Sequence, residues 1–282
     1  MIGVFDSGLG GLTILKEIRS LLPEYDYMYL GDNARAPYGT RSFEVVYQYT
    51  LEAVNFLFSQ GCPIVILACN TASAKALRTI QQNDLPKQWE KDGSTLRRVL
   101  GIIRPTAEQI SGFSYTNHIG ILATQGTVVS DSYPIEIHKQ NPQTVVVQQA
   151  CPMWVPLVEN NEHNTEGADY FVDKYIREIF MKDPQIDTLL LGCTHYPLLQ
   201  RKIEEAVRRY ASHPVRVVPQ GSIIAGSLAD YLRRHADLEQ LCSRGGSLRY
   251  LTTESAERFS RHATIFLGTP IDAEHINSLL SN

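Results

Sequence analysis

Two cysteines stand in the same kind of place along the chain. One lies in Ile64-Val65-Ile66-Leu67-Ala68-Cys69-Asn70-Thr71-Ala72-Ser73, the other in Thr188-Leu189-Leu190-Leu191-Gly192-Cys193-Thr194-His195-Tyr196-Pro197. Each follows a short unalternated apolar run and precedes hydroxyl or amide side chains of the kind that cap helices. The pattern predicts strand, cysteine, helix start. A thiol at a helix N-terminus has its thiolate favoured by the dipole and by unpaired N–H groups, so it can work as acid, base or nucleophile. Asn70 and Thr71 add donors for a bound carboxylate. His195 lies two residues past Cys193, and a Cys–His pair can be a nucleophile with its base, a proton-transfer couple or part of a metal site. Metal is the weakest of the three, because Cys-x-His supplies two ligands and no CxxC or HxxxH completes them.

A second motif opens the chain: Phe5-Asp6-Ser7-Gly8-Leu9-Gly10-Gly11-Leu12-Thr13. A strand, a glycine-rich turn and a helix start expose backbone N–H groups that attract anions. No Gly-Lys-Ser/Thr follows, and the glycines miss the dinucleotide spacing, so a small anionic ligand fits better than a nucleotide. Asp6 sits at a strand's C-terminal end, where α/β proteins bind ligands. Ala36-Pro37-Tyr38-Gly39 is a turn that can present N–H groups. Ala150 to Glu159 is an apolar, proline-punctuated stretch ending in a lone carboxylate. On spacing alone these two stretches read as structural loops. Ile119-Gly120-Ile121-Leu122-Ala123-Thr124 echoes the two cysteine segments with Thr in place of Cys. Cys62, Cys151 and Cys242 read as small buried hydrophobes, the usual fate of a free cysteine.

The elements that must carry these residues are short apolar runs alternating with amphipathic stretches. The runs are Ile2–Phe5, Tyr27–Leu30, Ile64–Ala68, Val99–Ile103, Ile119–Ala123, Thr144–Val147, Thr188–Leu191, Val215–Val218 and Leu248–Leu251. They read as strands of parallel sheets buried on both faces. Helices are expected with a stripe of Leu12, Leu15, Ile18, Leu21 and Leu22, over Val45–Phe58 with Tyr47, Leu51, Val54 and Phe58 on one face, and over Ala168–Met181 and Leu198–Tyr210. The alternation argues for an α/β fold. Pro86–Ser94 is the most linker-like stretch, with a turn at Asp92-Gly93. Two equivalent units facing each other would set two cysteines on opposite sides of one crevice.

The chain has 282 residues, enough for about two domains. Lys plus Arg total 26 against 30 for Asp plus Glu, a net charge of −4. That balance argues against nucleic-acid binding, which needs concentrated basic charge. No basic segment precedes an apolar run at Met1, and no run approaches the length of a membrane span, so a cytoplasmic protein is expected, with no membrane partner. Five cysteines without a CxxC pair do not make a disulfide framework.

Taken together, these motifs resemble the glutamate racemases, cofactor-independent isomerases that supply D-glutamate for the peptidoglycan of the bacterial cell wall. The resemblance is carried by Val4 to Thr13, Gly31-Asp32, Pro37-Tyr38-Gly39, Ala68 to Ala72, Ala150-Cys151-Pro152 with Val155 to Glu159, and Leu191 to Leu198. Thr124 and Thr127 match a Thr-x-x-Thr pair, and Tyr250 to Thr253 and Phe259 to Gly268 extend the likeness to the tail. The resemblance implies two pseudo-symmetric α/β domains with mostly parallel central sheets and the active site in the crevice between them. One domain would be 1–98 plus 220–282, carrying Cys69, and the other 99–219, carrying Cys193. It implies that Cys69 and Cys193 are the catalytic acid/base pair, with Asp6 assisting Cys69, and Glu159 and His195 assisting Cys193. Asp6, Ser7, Tyr38, Gly39, Asn70, Thr71, Thr124, Thr127, Thr194 and His195 would line the site for L- or D-glutamate. Cys193 would take the proton from L-glutamate.

No cofactor or metal is expected. Pyridoxal phosphate needs a Schiff-base lysine and a phosphate cup, and the one lysine near a motif is Lys75, in the helix after Cys69. A homodimer is expected. Three other readings compete: a related racemase acting on aspartate or a hydantoin, a non-catalytic dicarboxylate-binding protein, and a cysteine hydrolase using Cys193 and His195. The last leaves Cys69 without a role.

Overall fold

The computed structural model describes residues 1–93, 95–277 and 279. Among the described residues there are ten strands: β1 (Ile2–Asp6), β2 (Tyr27–Gly31), β3 (Ile64–Leu67), β4 (Arg98–Gly101), β5 (His118–Ala123), β6 (Val145–Ala150), β7 (Thr188–Gly192), β8 (Arg216–Val218), β9 (Leu248–Thr252) and β10 (Ala273–His275). All nine expected runs become strands. β10 was not expected, because Ala-Glu-His carries no apolar pattern and pairs only at the sheet edge with β9.

The chain divides into two compact units, Met1–Ile102 with Gly221–Asn282, and Ile103–Gln220. The expected cut after residue 98 falls inside β4, which hydrogen-bonds to β3, so the first unit runs on to Ile102.

The first unit holds a six-stranded sheet, order β10-β9-β2-β1-β3-β4, with every pair parallel. β1, β2 and β3 are buried along their whole length, which is why they read as unbroken apolar runs. The helix Leu12–Leu21 buries Leu12, Ile14, Leu15 and Ile18 and packs on Gly221–Arg234. Leu21, expected on that stripe, lies in the last turn and is exposed. In the helix Phe43–Ser59, capped by the Ser42 side chain, the buried face is Val46, Thr50, Ala53, Val54, Leu57 and Phe58. The expected Tyr47 and Leu51 are only half-buried. That helix is apolar nearly all round, so periodicity could not single out a face. The Tyr47 hydroxyl needs a polar neighbour, and it donates to Asp84 at 2.9 Å.

The linker expectation fails. Leu85–Asp92 is a helix, with Pro86 in its first turn and Gly93 in the left-handed conformation (φ +70°) ending it. Leu85 and Trp89 join the core. The Pro-to-Gly spacing was the missed signal; the last residue of the proposed linker, Ser94, lies outside the described residues.

The second unit holds a four-stranded parallel sheet, order β6-β5-β7-β8. Its strands enter the chain as β5, β6, β7, β8, so the spatial order is second, first, third, fourth. The first unit repeats that order as β2-β1-β3-β4. The pseudo-symmetry expected from the cysteine echo is thus written in the connectivity. Among the described residues no helix is long and apolar enough to cross a membrane.

Candidate active site

In both sheets the first strand is central, and a cysteine follows closely on the end of the third strand beside it. In the first unit the register pairs Phe5 with Leu67, so two residues further on Ser7 falls beside Cys69. The contact is real: the Cys69 thiol donates to Ser7 Oγ at 3.4 Å. Cys69 is the N-cap residue of the short helix Asn70–Lys75, but its side chain caps nothing. The helix's first N–H groups follow it directly along the backbone. Asn70 and Thr71 follow, both buried. Asp6 is fully buried and accepts the Gly8 N–H at 2.9 Å, which closes the glycine-rich turn. Gly11 is required beneath it, since a Cβ there would lie 2.6 Å from the Asp6 Cβ.

The Tyr38–Gly39 turn belongs to this unit as well. Tyr38 is buried and packs on Phe5 and Tyr49. Its hydroxyl donates to Asp32 Oδ2 at 2.5 Å. Burial, reinforced by the Asp32 carboxylate, holds the phenol far above its ordinary range. Asp32 also accepts from Thr253 at 2.8 Å and pairs with Arg35 at 2.7 Å. Sequence reasoning gave Asp32 no role. The available signal was its place just past β2, as Ser7 lies just past β1.

In the second unit the register pairs Ala123 with Gly192, so one residue further on Thr124 falls beside Cys193. Thr124 is therefore the counterpart of Ser7, not of the cysteines that its sequence echo suggested. It caps the helix Gln125–Val129 by accepting the Thr127 N–H at 3.3 Å, and its hydroxyl lies 3.2 Å from that of Thr127. Cys193 does not lead straight into an α-helix. Thr194 and His195 form a turn, Tyr196–Leu199 is a 3-10 turn with Pro197 inside it, and the α-helix starts at Gln200.

That turn aims His195 back at the thiol. His195 Nδ1 lies 3.8 Å from Cys193 Sγ, and Nε2 lies 2.5 Å from Glu159 Oε1. Burial alone would lower the His195 pKa; the hydrogen bonds to Cys193 and Glu159 outweigh it and hold the imidazole well above its ordinary range. Glu159 is thus no lone carboxylate. It ends the helix Trp154–Glu159, formed in a stretch that read as a loop because of its prolines. Cys151, Cys62 and Cys242 are buried, and burial pushes each thiol up, the last two to about 11.

Each unit therefore holds one cysteine just past its third strand, level with a hydroxyl residue just past its first strand. Residues 12–226 match the Asp/Glu/hydantoin racemase family. The chain belongs to that family. It is 38% identical over 268 residues to a glutamate racemase of Geobacter metallireducens, covering 95% of this chain and 92% of the relative. The Bacillus anthracis glutamate racemase structure superposes with a TM-score of 0.83 at 30% identity, covering 100% of this chain and 98% of that one. The Francisella tularensis enzyme, solved in complex with D-glutamate, gives 0.81 at 30% identity over 99% and 97% of the two chains. Within the family, then, the glutamate racemases are relatives along the whole length.

Proposed function

We propose that this chain interconverts L- and D-glutamate by passing the α-proton through two thiols, Cys69 and Cys193, and so supplies D-glutamate for peptidoglycan. The observation that carries the two-thiol reading is the repeat: two sheets share one four-strand order, and in each a cysteine just past the third strand lies level with a hydroxyl residue just past the first. Neither a hydrolase nor a binding protein needs that duplication. Full-length similarity to glutamate racemases supports glutamate over aspartate or a hydantoin as substrate.

Racemisation removes the α-proton from one face of the carbon and returns one to the other. It needs two acid/base groups, one a thiolate while the other is a thiol. The imidazolium of His195, held by Glu159, favours the thiolate of Cys193. Asp6 serves the other thiol, Cys69, which donates to the adjoining Ser7. Backbone N–H groups at Asn70 and Thr71, with the hydroxyls of Thr124, Thr127 and Thr194, suit the substrate carboxylates and the charge that builds up on deprotonation. The Tyr38–Gly39 turn contributes backbone donors, its phenol being engaged with Asp32. Reduced thiols are essential to this chemistry and all five cysteines are free, which suits a cytoplasmic enzyme. A homodimer is part of the proposal and is read by light scattering.

The test is to replace Cys69 and Cys193 singly by Ser and to follow racemisation of both enantiomers by circular dichroism, with α-proton exchange in deuterium oxide. Loss of a general acid or base costs roughly 10²–10⁴-fold, so each variant should lose racemisation by at least the lower figure. A single variant racemising at near wild-type rate would overturn the two-thiol reading. A wild-type chain that racemises aspartate in preference to glutamate would overturn the substrate.

A further inference from the structure

We propose that Tyr196 is a positioning residue for the acid/base station at Cys193, locking His195 between its two partners. The proposal rests on the function given above and extends it to a residue that touches neither substrate nor thiol in that scheme.

Tyr196 directly follows His195 and is fully buried. Its backbone N–H donates to the Cys193 carbonyl at 3.1 Å, which closes the turn carrying both reactive side chains. Its hydroxyl donates to the Cys151 carbonyl at 3.1 Å. Cys151 is itself anchored, its N–H donating to Ala123 at the end of β5, 2.9 Å away. The phenol therefore ties the Cys193–His195 turn to the segment leaving β6.

The ring makes a second link. It meets Trp154 edge to face, with centroids 4.7 Å apart. Trp154 opens the helix Trp154–Glu159, and its backbone N–H donates to the same Cys151 carbonyl, 3.2 Å away. At the far end of that helix, Glu159 reaches His195. The path closes on itself: Cys193 to His195, His195 to Glu159, along the helix to Trp154, and through Tyr196 back to the turn.

Both ring nitrogens of His195 are thus engaged from opposite sides, and Tyr196 holds the two sides in register. A core aromatic retained only for volume would not need its hydroxyl. Tyr196 buries that hydroxyl, which requires an acceptor, and takes it at Cys151. Reacting groups displaced by about 1 Å can lose 10²-fold in rate, so a small shift of this turn matters.

The test is Tyr196→Phe, which keeps the ring and removes the tie, with Trp154→Phe as a second variant that keeps Tyr196 intact. Two readouts are taken. The first is the titration of the His195 imidazole by nuclear magnetic resonance, which does not depend on turnover. Tyr196→Phe should lower its midpoint by about one pH unit as the contacts with Cys193 and Glu159 loosen. The second is racemisation: kcat should fall about tenfold with KM within about twofold, the loss expected when an interaction made in the transition state is weakened. Primary deuterium isotope effects should become unequal for the two enantiomers.

An unchanged His195 titration in both variants would overturn the positioning role. So would equal isotope effects with kcat within twofold of wild type. If the wild-type chain did not racemise glutamate, the proposed function would fall, while the His195 titration would still decide whether Tyr196 sets the imidazole.

Discussion

Replacing His195 by Asn isolates the part of the mechanism with the best-defined geometry. The substitution keeps a donor near the Nδ1 position and removes the cation. An imidazolium 3.8 Å from a thiolate is worth about 4 kcal/mol at an effective dielectric constant of 20. Burial of the charged ring offsets part of this, leaving about 3 kcal/mol, or roughly 10²-fold in rate. The two enantiomers have equal free energy in water, so kcat/KM must fall equally in both directions, and the asymmetry must appear elsewhere. If Cys193 takes the proton from L-glutamate, its step becomes limiting. The isotope effect with α-deuterated L-glutamate should then rise towards its full value. With α-deuterated D-glutamate it should shrink towards one, because the slow step now delivers a solvent-derived proton. The assay is circular dichroism of each labelled and unlabelled enantiomer with purified variant. Asymmetry of the opposite sense would exchange the enantiomer assignments of the two thiols. Equal isotope effects, or kcat/KM within threefold of wild type, would refute the coupling of His195 to Cys193.

Three further outcomes are expected. Gly11→Ala should destabilise the chain by about 1–3 kcal/mol and reduce activity, because the new Cβ drives into Asp6; thermal melting and racemisation read the two effects. Cys62 and Cys242, pushed up to about 11, should react with iodoacetamide at pH 7.5 far more slowly than free cysteine, as judged by mass spectrometry of the folded chain. Asp26 is held at about 2 by the Ser243 and Ser247 hydroxyls and the Ser247 N–H, so its folded-state pKa is depressed. Its contribution is present above the ordinary carboxylate pKa and is lost as pH falls through the folded value. Asp26→Asn should therefore lower the melting temperature by a constant amount above about pH 4, and that difference should shrink between about 4 and 2.

Much of the architecture was legible because parallel strands covered on both faces write unbroken apolar runs. The nine runs from Ile2 to Leu251 needed no tertiary information. Boundaries were less legible. Pro86–Ser94 read as linker because it is mostly polar and carries a turn signal at Asp92-Gly93, whereas Leu85 and Trp89 join the core. The buried face of Phe43–Ser59 was hidden by apolar residues on every side.

The chain's own order of residues determined the two strand–cysteine units, the glycine-rich anion turn and the type of chemistry, since these depend on residue identity and on spacing along a few consecutive positions. Which side chains meet was decided only by the fold. Ser7 reaches Cys69 across 62 positions and Glu159 reaches His195 across 36, because parallel register and helix packing bring together segments that no local pattern links. The same register moved Thr124 from a stand-in for cysteine to the partner beside one. It also gave Tyr196, which sequence reading passed over as part of a motif, a hydroxyl and a ring that bind two segments around His195.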